Sequence, residues 1–164
     1  MPLNAIAKAA GVGQGVLYRH FPNRLTLAFE VFADNFAELE RVAAETDGPE
    51  SFHSLWHLVV DYTVRSVAFV EMVIEARAKV PESLGARRLE HLIAEPLARA
   101  QQAGLADPAW TPNDVLLLQR MMYGVVIAQS DTSKTMDEVR RALELIDPRL
   151  APPIGLPEAQ PRAT

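Results

Sequence analysis

Apolar residues in this chain recur three and four positions apart, and no stretch sustains the alternation of a β-strand. A period near 3.6 belongs to helices covered on one side, whereas strands repeat every two residues. The expected fold is therefore all-α. Glycine and proline cut the pattern into elements. Leu3, Ile6, Ala7 and Ala10 share one helix face, and Gly11 is a natural stop. A short helix fits Gln14 to His20, with Val16, Leu17 and Phe21 as apolar anchors and Pro22 blocking its continuation. Asn23 can cap a long third helix carrying Leu25, Phe29, Phe32, Phe36, Leu39 and Ala43, which ends near Asp47-Gly48-Pro49. A helix or helix pair follows from Ser51 to Lys79. The next fits Leu84 to Ala103, with Pro96 as a kink and Gly104 as the stop. Thr111-Pro112 opens a helix that is apolar on nearly every side from Val115 to Ala128, and a last helix spans Lys134 to Ile146. The Pro-rich ending offers little to pack.

Nearly half of the 164 residues are hydrophobic, enough for a core without staples. The chain has no cysteine, which excludes disulfides, thiol nucleophiles and Cys-ligated zinc and suits a reducing cytosol. The apolar region from Leu58 to Val80 is broken by Asp61, Arg65, Glu71 and Glu75, so no membrane partner is expected and the location expected is cytoplasmic. The net charge of −5 is unevenly spread. Lys8, Arg19 and Arg24 precede the first acid, Glu30, and taking these three charges away leaves −8 on the remainder. A basic start on an acidic body points to two surfaces with different partners.

Two short helices joined through Gly11-Val12-Gly13 form a helix-turn-helix candidate. Gln14, at the start of the second helix, can pair with a base edge, most naturally adenine. Tyr18 and His20 offer donors to phosphate, and Arg24 adds positive charge at the start of the third helix. A plain helical hairpin with ordinary surface side chains accounts for the same spacing, so the residues alone leave both readings open.

The stretch "IAKAAGVGQGVLYRHFPNR" resembles the helix-turn-helix of the tetracycline-repressor (TetR) family, whose pattern runs IA-x-x-AGV-x-x-G-T-LY-x-HF-x-x-K. The resemblance is dense from Ile6 to Arg24; beyond it only helix number and length agree, with a weaker likeness of "RAQQAGL" to one ligand-domain subgroup. It implies a homodimeric transcriptional regulator, usually a repressor, released from double-stranded operator DNA by a small ligand. Gln14 and Gly15 would face bases with Arg19 beside them, while Tyr18, His20 and Arg24 would hold phosphates. Val16 stands where threonine is common, which removes one phosphate contact. The resemblance also implies a further helix before Leu3, packed across both helices of the motif. Met1 stands where that helix should already have ended, so a start upstream of Met1 is expected.

The expected organisation is a head with its connecting helix over 1–46, a ligand-binding and dimerising body over 47–147, and a flexible tail over 148–164. The helix around Val115–Ala128 and the narrow seam of the last helix suit a face shared between two copies, through Leu117, Met121, Val125, Met136, Val139 and Leu143. An ordinary buried helix gives the same pattern. A small apolar ligand would lie among Trp56, His57, Val60, Phe69, Met72, Met122 and Tyr123, each of which also fits plain core. His53, His57 and Asp61 share a helix face, but their span of about 12 Å is too long for one ion, and neither metal nor cofactor is expected. The chain lacks a Gly-rich phosphate loop and a Gly-x-Ser-x-Gly elbow, so no catalytic residues are expected. The expected function is a ligand-responsive, homodimeric DNA-binding repressor. The alternative is a dimeric module that binds a ligand or protein without binding an operator.

Overall fold

The computed structural model of the chain describes residues 3–65, 83–129, 131 and 133–153. Among these residues all regular structure is helical: α1 (Leu3–Ala9), α2 (Gln14–His20), α3 (Arg24–Glu45), α4 (Ser51–Arg65), α5 (Ser83–Gln102), α6 (Pro112–Ala128), α7 (Thr135–Ile146) and a 3₁₀ turn (Pro148–Leu150).

Helix ends fall where local chemistry puts them. Gly11 adopts φ 69°, and the Val12 N–H to Ala7 and Gly11 N–H to Lys8 bonds close α1 in the glycine-terminated manner. Gly104, at φ 73°, ends α5 in the same way, with Leu105 N–H reaching Ala100 and Gly104 N–H reaching Gln101. Asn23 caps α3, its side chain accepting from the Thr26 N–H at 2.9 Å. Thr111 and Asp114 form a reciprocal capping box at the start of α6, with Pro112 in the first turn. Pro96 lies inside α5, which continues through it.

Among the described residues, two separate apolar clusters follow. A small one joins the buried Leu3, Ala7 and Leu17 to the partly buried Ile6, Phe21 and Leu27. The large one is built around α4, which packs on α3, α5, α6, α7 and the 3₁₀ turn. Phe52, Leu55, Trp56, Val59 and Val60 of α4 meet Phe36 and Leu39 of α3, Ile93 and Leu97 of α5, Met122 of α6, and Val139 and Leu143 of α7. Two polar groups taken in with them are partnered. Asp61 is held by the Arg65 Nε at 2.7 Å, and the Thr63 hydroxyl donates to the Val59 carbonyl at 2.8 Å.

Three expectations need correcting. Val16 is not an anchor; it is 49 % exposed, and Leu17 alone is buried on α2. A residue one step before an inward position on a helix is turned by about 100°, which carries it to the outer face. Ala10, expected on the inner face, is exposed. The chain after Asp147 also packs, at least at first. Leu150 is enclosed in the large core, Pro152 is buried, and the Leu150 carbonyl accepts from the Trp56 indole N–H at 3.0 Å. A buried indole needs an acceptor, and this turn supplies it.

Candidate nucleic-acid interface

The helix-turn-helix is built from the inside out. Leu17 turns inward against Leu3 and Ala7, and Phe21 closes the far end of α2, its N–H bonding the Leu17 carbonyl at 2.8 Å. With that face fixed, the opposite face must point to solvent. Gln14, Gly15, Tyr18, Arg19 and His20 are all exposed, Tyr18 by 45 %. Gln14 is the first residue of α2, and Gly13 before it is extended and provides no side-chain cap. The positive side chains Lys8 and Arg19 lie in the last turns of α1 and α2, where cations suit the negative helix end. The Arg24 backbone begins α3, while its side chain lies outside the described residues.

Five of the six residues expected to meet DNA therefore share the open surface of one short helix. Two exposed side chains lie beside them: Val12 in the turn, which sequence reasoning passed over, and Val16 on α2, which it took as an apolar anchor. The signal was available for Val16, which lies off the stripe joining Leu17 to Phe21.

The residues expected in the body divide differently. Trp56, Val60 and Met122 are enclosed in the large core, whereas His57 and Tyr123 are partly buried; Phe69 and Met72 lie outside the described residues. The His53 and His57 rings stand 6.2 Å apart, edge to face. Neither His53 Nδ1 nor His57 Nε2 has a hydrogen-bond partner among the described residues. Burial pushes both imidazoles below the usual histidine range. For His53 the Glu50 carboxylate opposes that push, while Arg149 adds to it.

Of the six residues expected at a shared face, Leu117 and Met121 are about half exposed, and Val125 and Met136 are partly buried. Val139 and Leu143 are fully enclosed by the chain's own core, while Leu145 and Ile146 of the same helix stay exposed. Apolar spacing marks which face is covered, not what covers it. Among the described residues, an open groove forms where Trp110, Leu117, Leu118, Met121 and Ile146 meet.

Residues 1–31 match the family described as bacterial regulatory proteins, tetR family, a span that contains α1, the turn and α2 whole. No curated protein and no solved structure matches the chain. Over residues 1–31 the chain is therefore similar to the DNA-binding helix-turn-helix of TetR-family transcriptional regulators.

Proposed function

We propose that the chain is a cytoplasmic repressor that binds an inverted-repeat operator as a homodimer and leaves it when a small apolar ligand enters the body. The observation that carries this reading is the polar outer face of α2, held out by an inner face packed on α1. Gln14 and Gly15 meet base edges with Arg19 beside them, and Tyr18, His20 and Arg24 hold phosphates. Two copies of α2 must lie about 34–36 Å apart to enter successive major grooves, which makes pairing part of the function. The open groove around Leu117 and Met121 supports that pairing.

For the ligand, Trp56, Val60, Met122 and Tyr123 supply an apolar surround that repacks readily, and the unpartnered His57 Nε2 supplies a polar handle. The ligand acts only by its differential affinity for conformers whose heads are rightly and wrongly spaced. Fluorescence anisotropy of the DNA preceding the encoding gene, across a salt series, tests the reading. Tight binding that weakens steeply with salt and exceeds binding to a random duplex is expected. Equal affinity for both duplexes would leave a dimeric ligand- or protein-binding module as the better account.

A further inference from the structure

Of the four histidines in the chain, His20 and His91 are exposed, whereas His53 and His57 are partly buried on α4. Residues four positions apart on a helix are neighbours on one face, and these two ring centres stand 6.2 Å apart. Each ring carries a buried nitrogen with no hydrogen-bond partner among the described residues, Nδ1 of His53 and Nε2 of His57. A buried polar atom left without a partner is uncommon, and two on adjacent rings ask for one shared cause.

The His57 ring shows which form its bare nitrogen takes. The ring is hydrogen-bonded to the Ala151 backbone, and Nε2 is the unpartnered atom, so Nδ1–H is the donor and Nε2 holds a lone pair. A ring N–H fixed on a backbone carbonyl with the opposite nitrogen bare is the usual setting of a metal-binding imidazole. Burial keeps both rings neutral at pH 7, the form that binds metal.

The spacing also fits. A metal lies about 2.0–2.1 Å from an imidazole nitrogen and hence about 3.2 Å from the ring centre, so one ion can join rings up to about 6.4 Å apart. The observed 6.2 Å is inside that reach, and an approach of about 1 Å would give a tetrahedral angle. The surrounding charges do not oppose a cation. The Glu50 carboxylate lies 3.9 Å from His53 Nδ1, and the Arg149 guanidinium is taken up by Asp147 at 2.6 Å. Asp61, one turn beyond His57, is already held by Arg65. Among the described residues no group of three His, Cys, Asp or Glu is placed to hold an ion, so the protein supplies two ligands.

We propose that His53 and His57 form a two-imidazole site for a divalent transition metal of the zinc, nickel or copper class. Imidazole ligands without sulfur suit these ions. The remaining positions are open to water, or to an oxygen or nitrogen of a small molecule. A bound ion would then carry the polar contact assigned above to His57 Nε2. The site itself does not depend on the regulator reading.

Isothermal titration of zinc chloride into metal-stripped, tag-free chain at pH 7.5 tests the site. A single ion should bind per chain, with a rise in melting temperature. His53→Gln and His57→Gln should each weaken binding by at least about tenfold, the lower end of what losing a mere hydrogen-bond partner of a ligand costs. His91→Gln, on the exposed side of α5, should bind as the parent does. Electron paramagnetic resonance of the copper(II)-loaded parent should show two coordinated imidazole nitrogens, a readout that stands even if a glutamine variant unfolds. Absence of saturable binding to either ion overturns the proposal. So does binding that survives both α4 substitutions, binding that is lost in His91→Gln, or a copper spectrum with a single imidazole.

Discussion

On α2 the division between Leu17, buried, and Tyr18, half exposed, separates the packed face from the face proposed to meet DNA, one residue apart. A base-edge contact and a phosphate contact fail differently. Gln14→Ala should relax preference at one position of each half-site, whereas Tyr18→Phe, losing the hydroxyl proposed to hold a phosphate, should weaken binding to all sequences alike. Anisotropy with single-position operator variants separates the two, and equal losses for both mutants would remove Gln14 from base reading. The histidine pair gives a second prediction at this scale. Both imidazoles are held below the ordinary value of 6.5 by burial, so between the folded and unfolded values the unfolded chain binds more protons. Their contribution to stability is therefore full above about pH 6.5 and is lost as the pH falls below it. Melting temperature should drop between pH 7.5 and 5.5, and His57→Gln should flatten that drop. A parallel profile in the variant would show that other groups carry the dependence.

At the level of the element, two glycines allow one chemistry to be tested in two places. Gly11 and Gly104 both have positive φ, and an added Cβ meets nothing within 4 Å at either. Alanine therefore introduces backbone strain alone, of about 1–2 kcal/mol. Gly104→Ala should lower the main melting transition by a few degrees, because α5 belongs to the large core. Gly11→Ala should leave that transition in place while weakening DNA binding, because the head has a separate cluster with three buried side chains among the described residues. The element boundaries were legible in the sequence because their signals are local: Asn23 before a helical run, Thr111-Pro112, and glycine after the last apolar position. The side facing the core was less so. Val139 and Leu143 carry the same spacing whether they meet their own chain or another, and Leu150 sits in a Pro-rich stretch that reads as tail. The acceptor Leu150 provides is for Trp56, ninety-four positions away, and no local pattern encodes a pairing at that distance.

Over the whole molecule, the proposed pairing is argued from the open apolar surface near α6. Leu117 and Met121 are about half exposed beside Trp110 and Ile146, on a helix whose opposite side is committed to the core through Leu118, Met122 and Val126. In a two-fold interface each substitution appears twice, so Leu117→Glu with Met121→Glu would bring four like charges together in an apolar seam. Sedimentation velocity should then show monomer at concentrations where the parent is paired, with helicity unchanged. Persistent pairing would place the interface elsewhere.

The positions of the two tryptophans give this architecture an optical readout. Trp56 is 1 % exposed beneath the 3₁₀ turn, and Trp110 lines the open groove. The chain contains no others. The first indole is dry in a single copy and should emit in the blue until the body unfolds. The second should move toward the red when a covering copy departs, with no change in circular dichroism. Dilution and denaturation therefore leave different colours, and a Trp110→Phe variant, silent to the first and responsive to the second, would assign each band.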